Sequence, residues 1–264
     1  MVVKMKFYII LTFGLLASSD AFNLERNSLS ESRIINGRKA LPGELPYQVS
    51  LQTNTKPSSF FCGGSILNEN YVITAAHCVV GKNAGSIKIV AGTINLLKPK
   101  DTYFVEKIIT HEAYNANNSW INDIALVKVK TPFVMNNETK NVILPKSDMV
   151  INDNDVAVVS GFGRKWLGGP PSLELLLVDI FIANQSLCSE RYGMSGLNIY
   201  DSQVCAYDTL IKKGACHGDS GGPLTINGVL VGLVSWSYGC AQTDYPSVYT
   251  RVPKYLNWIE KNAV

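Results

Sequence analysis

From Tyr47 onward apolar and polar side chains alternate strictly, with Tyr47, Val49 and Leu51 on one face and Gln48, Ser50 and Gln52 on the other. A two-residue period predicts a half-buried β-strand. Short apolar runs recur at 65–67, 71–74, 87–90, 124–129, 156–160, 175–182 and 229–236. Turn-rich pieces such as 54–59 and 168–172 separate them, and Asn227-Gly228 is a two-residue hairpin signal between 224–226 and 229–231. Many short strands spaced by roughly 8–12 residues predict an all-β sandwich or barrel rather than strand–helix–strand units. Only the C-terminus changes period: Tyr255, Leu256, Trp258 and Ile259 fall on one face of a short helix. No internal repeat or low-complexity stretch is visible.

Composition narrows the class. The chain has 264 residues, 46% hydrophobic and 17% charged, against roughly 25% charged for an average soluble domain. That is enough for one large core, or for two smaller ones sharing an interface. A net charge of +3 with no basic run gives no footing for nucleic acid. At the N-terminus Lys4 and Lys6 precede an apolar stretch at 7–16, followed by the small residues Ala17, Ser18, Ser19 and Ala21. This reads as a secretory signal peptide ending at 19 or 21, since a membrane span needs about 20 apolar residues. A secreted chain makes disulfides the default for Cys62, Cys78, Cys188, Cys205, Cys216 and Cys240. Spacing alone leaves fifteen connectivities open. Zinc is not expected, because no C-x-x-C occurs and only three histidines exist. Sequons at Asn117, Asn137 and Asn184 are candidate glycosylation sites.

The chemistry concentrates in the stretch 213–224, K-G-A-C-H-G-D-S-G-G-P-L. A serine hydroxyl is a weak nucleophile until a base takes its proton, and the oxyanion formed by its attack needs preorganised donors. Here Ser220 supplies the hydroxyl, and the N–H groups of Gly218 and Ser220 supply two donors. The base is expected to be His77, in T-A-A-H-C; His111 lies in a polar stretch and reads as structural. The acid is expected to be Asp123, in N-D-I-A-L, just ahead of an apolar strand where a carboxylate would be buried and in need of partners.

With T-A-A-H-C, N-D-I-A-L and G-D-S-G-G-P in the order His, Asp, Ser, the chain from Ile34 to Val264 resembles the chymotrypsin/trypsin-like serine proteases. The resemblance implies two six-stranded antiparallel β-barrels, at about 34–139 and 140–252, with the active site between them and a C-terminal helix at 253–263. Ser220 is then the nucleophile, His77 the general base and acid, and Asp123 the group that orients the imidazole. Gly218 and Ser220 form the oxyanion hole. The implied disulfides are Cys62–Cys78, Cys188–Cys205 and Cys216–Cys240. Residues 20–33 become a pro-segment: cleavage after Arg33 frees the Ile34 amine to pair with Asp219. The precursor therefore needs an activating protease of trypsin-like specificity, and protein inhibitors of serine proteases are expected partners beside protein or peptide substrates. A monomer without nucleic-acid or membrane partners is expected.

The same resemblance puts Gly214 at the floor of the specificity pocket, where trypsin-like members carry an aspartate. Ser235, Trp236, Ser237 and Ser247 map to its walls and His217 to its rim. The run 214–218, G-A-C-H-G, looks like insect chymotrypsins, which implies a preference for large apolar or aromatic residues. A preference for small apolar residues, as in elastases, remains open because serines stand at two wall positions that are usually glycine. No cofactor is expected, calcium included, since Thr93, Asn95, Lys98 and Lys100 occupy the loop where calcium-binding members are acidic. Gly161-Phe162-Gly163 departs from the family at the position where tryptophan is usual. A non-catalytic binding relative would show a lost triad member or a spoiled activation site, and neither loss is present.

Overall fold

The computed structural model describes residues 34–264; the signal peptide and pro-segment expected before them lie outside the described residues. Thirteen strands dominate: β1 (Arg38–Lys39), β2 (Gln48–Thr53), β3 (Phe60–Ile66), β4 (Tyr71–Thr74), β5 (Ile87–Ala91), β6 (Asp101–Thr110), β7 (Ala125–Val129), β8 (Val156–Gly161), β9 (Leu176–Ile182), β10 (Gln203–Tyr207), β11 (Pro223–Ile226), β12 (Val229–Trp236) and β13 (Ser247–Arg251). Helices are few: α1 (Ala76–Val79), α2 (Gln185–Gly193) and α3 (Leu256–Asn262), with 3₁₀ turns at Ala84–Ser86 and Val252–Tyr255.

The strands close into two six-stranded antiparallel barrels. The first runs β2-β3-β4-β7-β6-β5, and the second β8-β9-β10-β13-β12-β11, closed by the β8–β9 pairing. Both follow one strand order, so the architecture contains a repeat that the sequence does not display. The barrel shape asks only for apolar side chains pointing inward. Val49, Leu51, Ile89, Val105 and Val127 meet that need in the first barrel. Val159, Val178, Ile180, Val204 and Leu224 meet it in the second. A separate apolar layer including Tyr47, Ile73, Ile124, Leu126, Leu230 and Leu233 joins the two.

The chain ends cross over. β1 pairs with β9 of the second barrel, while α3 packs back on the first, where the Tyr71 hydroxyl donates to the Val264 carbonyl at 2.5 Å. The expected helix at 253–263 is a 3₁₀ turn followed by α3, with Pro253 at the start of the turn, where its missing N–H costs nothing.

Two expectations change. The strand at 47–52 is not half-buried: Gln48, Ser50 and Gln52 are all buried, Gln48 against the second barrel and Gln52 on the hydroxyls of Ser50 and Ser58. Gln48 is satisfied by the Ser160 hydroxyl at 2.7 Å. The all-strand reading before the C-terminus also misses α2, which Asn184 caps by accepting from the Leu187 N–H at 2.9 Å. The three disulfides join Cys62 to Cys78, Cys188 to Cys205 and Cys216 to Cys240, the pairing the resemblance implies.

Candidate active site

Strand register brings the base and the acid together. β4 and β7 are neighbours with Thr74 opposite Ala125, so the residues just after β4 face those just before β7. His77 sits on α1, directly after β4, and Asp123 two residues ahead of β7. The Cys62–Cys78 bridge ties α1 to β3. Asp123 is fully buried and well satisfied. Its Oδ1 accepts from the His77 backbone N–H at 2.8 Å, and its Oδ2 from the His77 Nδ1–H at 2.7 Å and the Ser235 hydroxyl at 2.6 Å. The Thr250 hydroxyl donates to the Asp123 carbonyl at 2.7 Å. Ser235 and Thr250 belong to β12 and β13, so an aspartate of the first barrel is held from the second. A carboxylate at Nδ1 requires the proton on that nitrogen, which leaves the Nε2 lone pair free to accept another.

The serine loop is shaped by close backbone approach. Gly218 and Gly221 have φ of +98° and +74°, and a Cβ on Gly221 would run into the Thr74 hydroxyl. The loop is docked on both barrels: the Gly63 N–H donates to the Ser220 carbonyl at 2.8 Å, and the Gly221 N–H to the Val234 carbonyl at 2.8 Å. The Asp219 and Gly222 N–H groups are likewise spent on carbonyls. Those of Gly218 and Ser220 have no partner among the described residues, and unspent donors in a fixed loop suit an oxyanion.

Asp219 is fully buried between two glycines. Its carboxylate accepts from the Gly163 N–H at 2.8 Å and the Cys216 N–H at 2.9 Å, and a Cβ at Gly161 or Gly163 would collide with it. Burial pushes its pKa up to about 7, and the two N–H donors only partly offset that. Phe162, between those glycines, is buried edge-on against Phe60 with centroids 5.9 Å apart. Ile34 is fully buried in the core of the second barrel, and Ile35 pairs with Gly214.

His77 and Ser220 line one cleft of about 480 Å³, which also takes in His217, Ser235, Trp236, Ser237 and Ser247. Gly214 does not reach its surface; it is buried behind Ala215, its N–H on the Ile35 carbonyl. His217 is exposed at the rim. Two aromatic groups escape the sequence reading, one on the cleft wall and one fully buried behind it. Trp120 stacks on Trp236 at 5.4 Å, and its only signal is an aromatic residue in a polar loop near Asp123. Tyr192, from α2, lies edge-on to Trp236 and donates to the Pro246 carbonyl at 2.7 Å; burial pushes its phenol up to about 12. His111, read as structural, stacks on Trp258 at 5.2 Å, away from the cleft, and burial lowers its pKa.

One donor cluster resembles a metal site: Cys62, His77 and Cys78 offer ligand atoms within 4.8 Å of one another. Both sulfurs are committed to a disulfide, which supplies no thiolate for a metal. In the 93–100 loop the Lys100 ammonium is paired with Glu138.

A buried carboxylate on an imidazole, a serine sharing their cleft and two unspent N–H donors define a two-barrel serine endopeptidase. Residues 34–259 match the family model described as Trypsin, and the chain belongs to that family. It is 41% identical to Trypsin Blo t 3 of Blomia tropicalis, over 89% of this chain and 88% of that protein. It is 40% identical to Chymotrypsin-2 of Vespa crabro, over 88% and 100%, and 39% identical to Trypsin-1 of Astacus astacus, over 88% and 100%. Relatives named for both specificities stand at nearly the same identity, so overall similarity does not choose between them. The three disulfides fit an extracellular protein.

Proposed function

We propose that this protein is a secreted endopeptidase, made as a precursor and activated by cleavage after Arg33, that cuts after large apolar or aromatic residues. The observation that carries the reading is the His77–Asp123 hydrogen bond, with His77 and Ser220 lining the same cleft. His77 Nε2 takes the Ser220 proton as the hydroxyl attacks the scissile carbonyl. The N–H groups of Gly218 and Ser220 receive the oxyanion, and the imidazolium, held by Asp123, gives its proton to the leaving amine. Water then repeats the cycle on the acyl-enzyme. The Ser235–Ser237 backbone offers an edge to which substrate adds as an antiparallel strand.

Specificity rests on the pocket. Gly214 brings no carboxylate to pair a buried Arg or Lys, and an unpaired substrate charge there is strongly disfavoured. The cleft walls carry Trp120, Trp236 and Tyr238, surfaces that suit an aromatic ring. The second reading, small apolar residues, is favoured by Ser237 and Ser247 on the same walls. A panel of p-nitroanilide peptides ending in Phe, Leu, Ala or Arg decides between them. The expected result is kcat/KM at least tenfold higher for Phe than for Ala, with Arg lowest. A preference for Ala would hand the pocket to the second reading, and a preference for Arg would overturn both.

Activation follows from Asp219, whose buried carboxylate gains a cationic partner once the Ile34 amine is free. Protein substrates, an activating trypsin-like protease and protein inhibitors are the proposed partners of a monomer that needs no cofactor. For glycans we favour Asn117 and Asn137, which are exposed. The Asn184 amide is engaged in its cap and donates to Asp153 at 2.6 Å. Removal of N-glycans should lower the mass by two chains in the parent and by one in Asn117→Gln or Asn137→Gln, with Asn184→Gln unchanged.

A further inference from the structure

The segment leading to Asp123 does not hold its own shape. Ser119, Trp120 and Asn122 have φ of +49°, +51° and +60°, three non-glycine residues in the left-handed region within four positions, where L side chains are disfavoured. The chain then turns sharply at Asp123, with the Ile124 N–H on the Asn122 carbonyl at 2.8 Å. Such a conformation persists only where neighbours over-determine it. At Ser119 the anchors come from the loop after α2 and the start of β10: the hydroxyl accepts from the Asn198 N–H at 2.9 Å and the carbonyl from the Gln203 amide at 2.7 Å.

At Asn122 the anchor comes from the C-terminal turn. The Asn122 Oδ1 accepts from the Tyr255 hydroxyl at 2.9 Å, while its Nδ2–H donates to the Ala113 carbonyl at 2.8 Å. Tyr255 is 4% exposed and arrives in the 3₁₀ turn that follows β13, the strand whose Thr250 holds the Asp123 carbonyl. Its ring lies edge-on to His111 at 5.5 Å, and the His111 backbone N–H donates to the Ile124 carbonyl at 3.0 Å. One tyrosine thus bonds one neighbour of Asp123 and packs on the residue that bonds the other.

We infer that Tyr255 is a positioning residue for catalysis, acting through Asn122 to fix the Asp123 carboxylate against His77. The inference rests on the proposed role of Asp123 and extends the active site to the C-terminal segment. Tyr255→Phe removes the hydroxyl but keeps the ring on His111; Asn122→Gly keeps the backbone free to hold a positive φ while losing both side-chain bonds.

The test uses the enzyme cleaved after Arg33, with active sites counted by the burst of a p-nitrophenyl ester and turnover measured on a peptide p-nitroanilide at pH 8. Tyr255→Phe is expected to lower kcat per titrated site about tenfold with KM within twofold of the parent. Asn122→Gly should do the same, and the double variant should be no slower than Asn122→Gly alone, since both cut one linkage. A kcat per site within twofold of the parent in Tyr255→Phe, even with a lower Tm, overturns the inference, as do losses that multiply in the double variant. Asp123→Asn, run alongside, separates the levels: full activity there brings down the role of Asp123 itself.

Discussion

Asp123→Asn is expected to lower kcat by roughly 10⁴-fold, and Ser220→Ala by roughly 10⁶-fold, with the fold intact in both. The reason is in the hydrogen bonds. Asp123 accepts from the His77 Nδ1–H and the Ser235 hydroxyl through one oxygen and from the His77 backbone N–H through the other. An asparagine keeps one acceptor for the backbone N–H and turns its NH₂ toward the ring. The imidazole must then accept at Nδ1 and carry its proton on Nε2, where it can no longer take one from Ser220. Residues that act as a unit lose activity once, so the double variant should be no slower than Ser220→Ala. Single-turnover acylation of the cleaved enzyme, with circular dichroism to verify folding, provides the measurement. Asp123→Asn within tenfold of the parent would remove Asp123 from the mechanism.

The parts legible in the sequence are those fixed by local chemistry. The G-D-S-G-G run must be glycine-rich because a Cβ on Gly221 would run into the Thr74 hydroxyl and one on Gly222 into the Asp219 carbonyl. Short apolar runs located β4, β8 and β12, whose residues are mostly buried. β6 was not found, although it is the longest strand: its alternation is broken by a register shift between Val105 and Lys107, and Phe104 points out to solvent. β10 and β13 carry buried polar residues, Gln203, Ser247 and Thr250; Gln203 reaches the Ser119 carbonyl and Thr250 that of Asp123, far along the chain. Asn184 illustrates the opposite failure, since one residue carries two local signals: read as a sequon, it is also the cap of α2.

The site shows the same division. His77, Asp123 and Ser220 announce themselves by motif, but what holds Asp123 does not. Ser235, Thr250 and Tyr255 reach it or its neighbour from more than 100 positions away, a relation that exists only once two barrels have closed and packed. The pocket is intermediate. Serines at Ser237 and Ser247 are visible from the sequence, whereas the stacking of Trp120 on Trp236 depends on a loop with three residues in the left-handed region.

An uncleaved chain, for instance Arg33→Gln, is expected to turn over peptides roughly 10³-fold more slowly than the cleaved one at pH 8, and the deficit should depend on pH in a definite sense. Without the free Ile34 amine, ionised Asp219 is buried with only N–H donors, and its pKa in the assembled loop stands at about 7 against an ordinary 3.8. That gap corresponds to a cost of about 4 kcal/mol for the ionised form, within the range for a buried charge left unpaired. Because the pKa of the assembled state is raised, the cost is absent below 3.8, grows as pH rises, and is complete above about 7. Acid therefore favours the assembled loop in the uncleaved chain. Indole, a neutral aromatic ligand for the cleft, reports on it without requiring turnover. Its affinity for the uncleaved chain should rise by about two to three orders of magnitude from pH 7 to pH 4, because only the assembled fraction binds. The cleaved chain shares His77 and every cleft residue but supplies its own ammonium, so its affinity should stay flat over that range. Equal, pH-independent binding by both forms would show that Asp219 does not govern assembly, and the activation reading would fall with it.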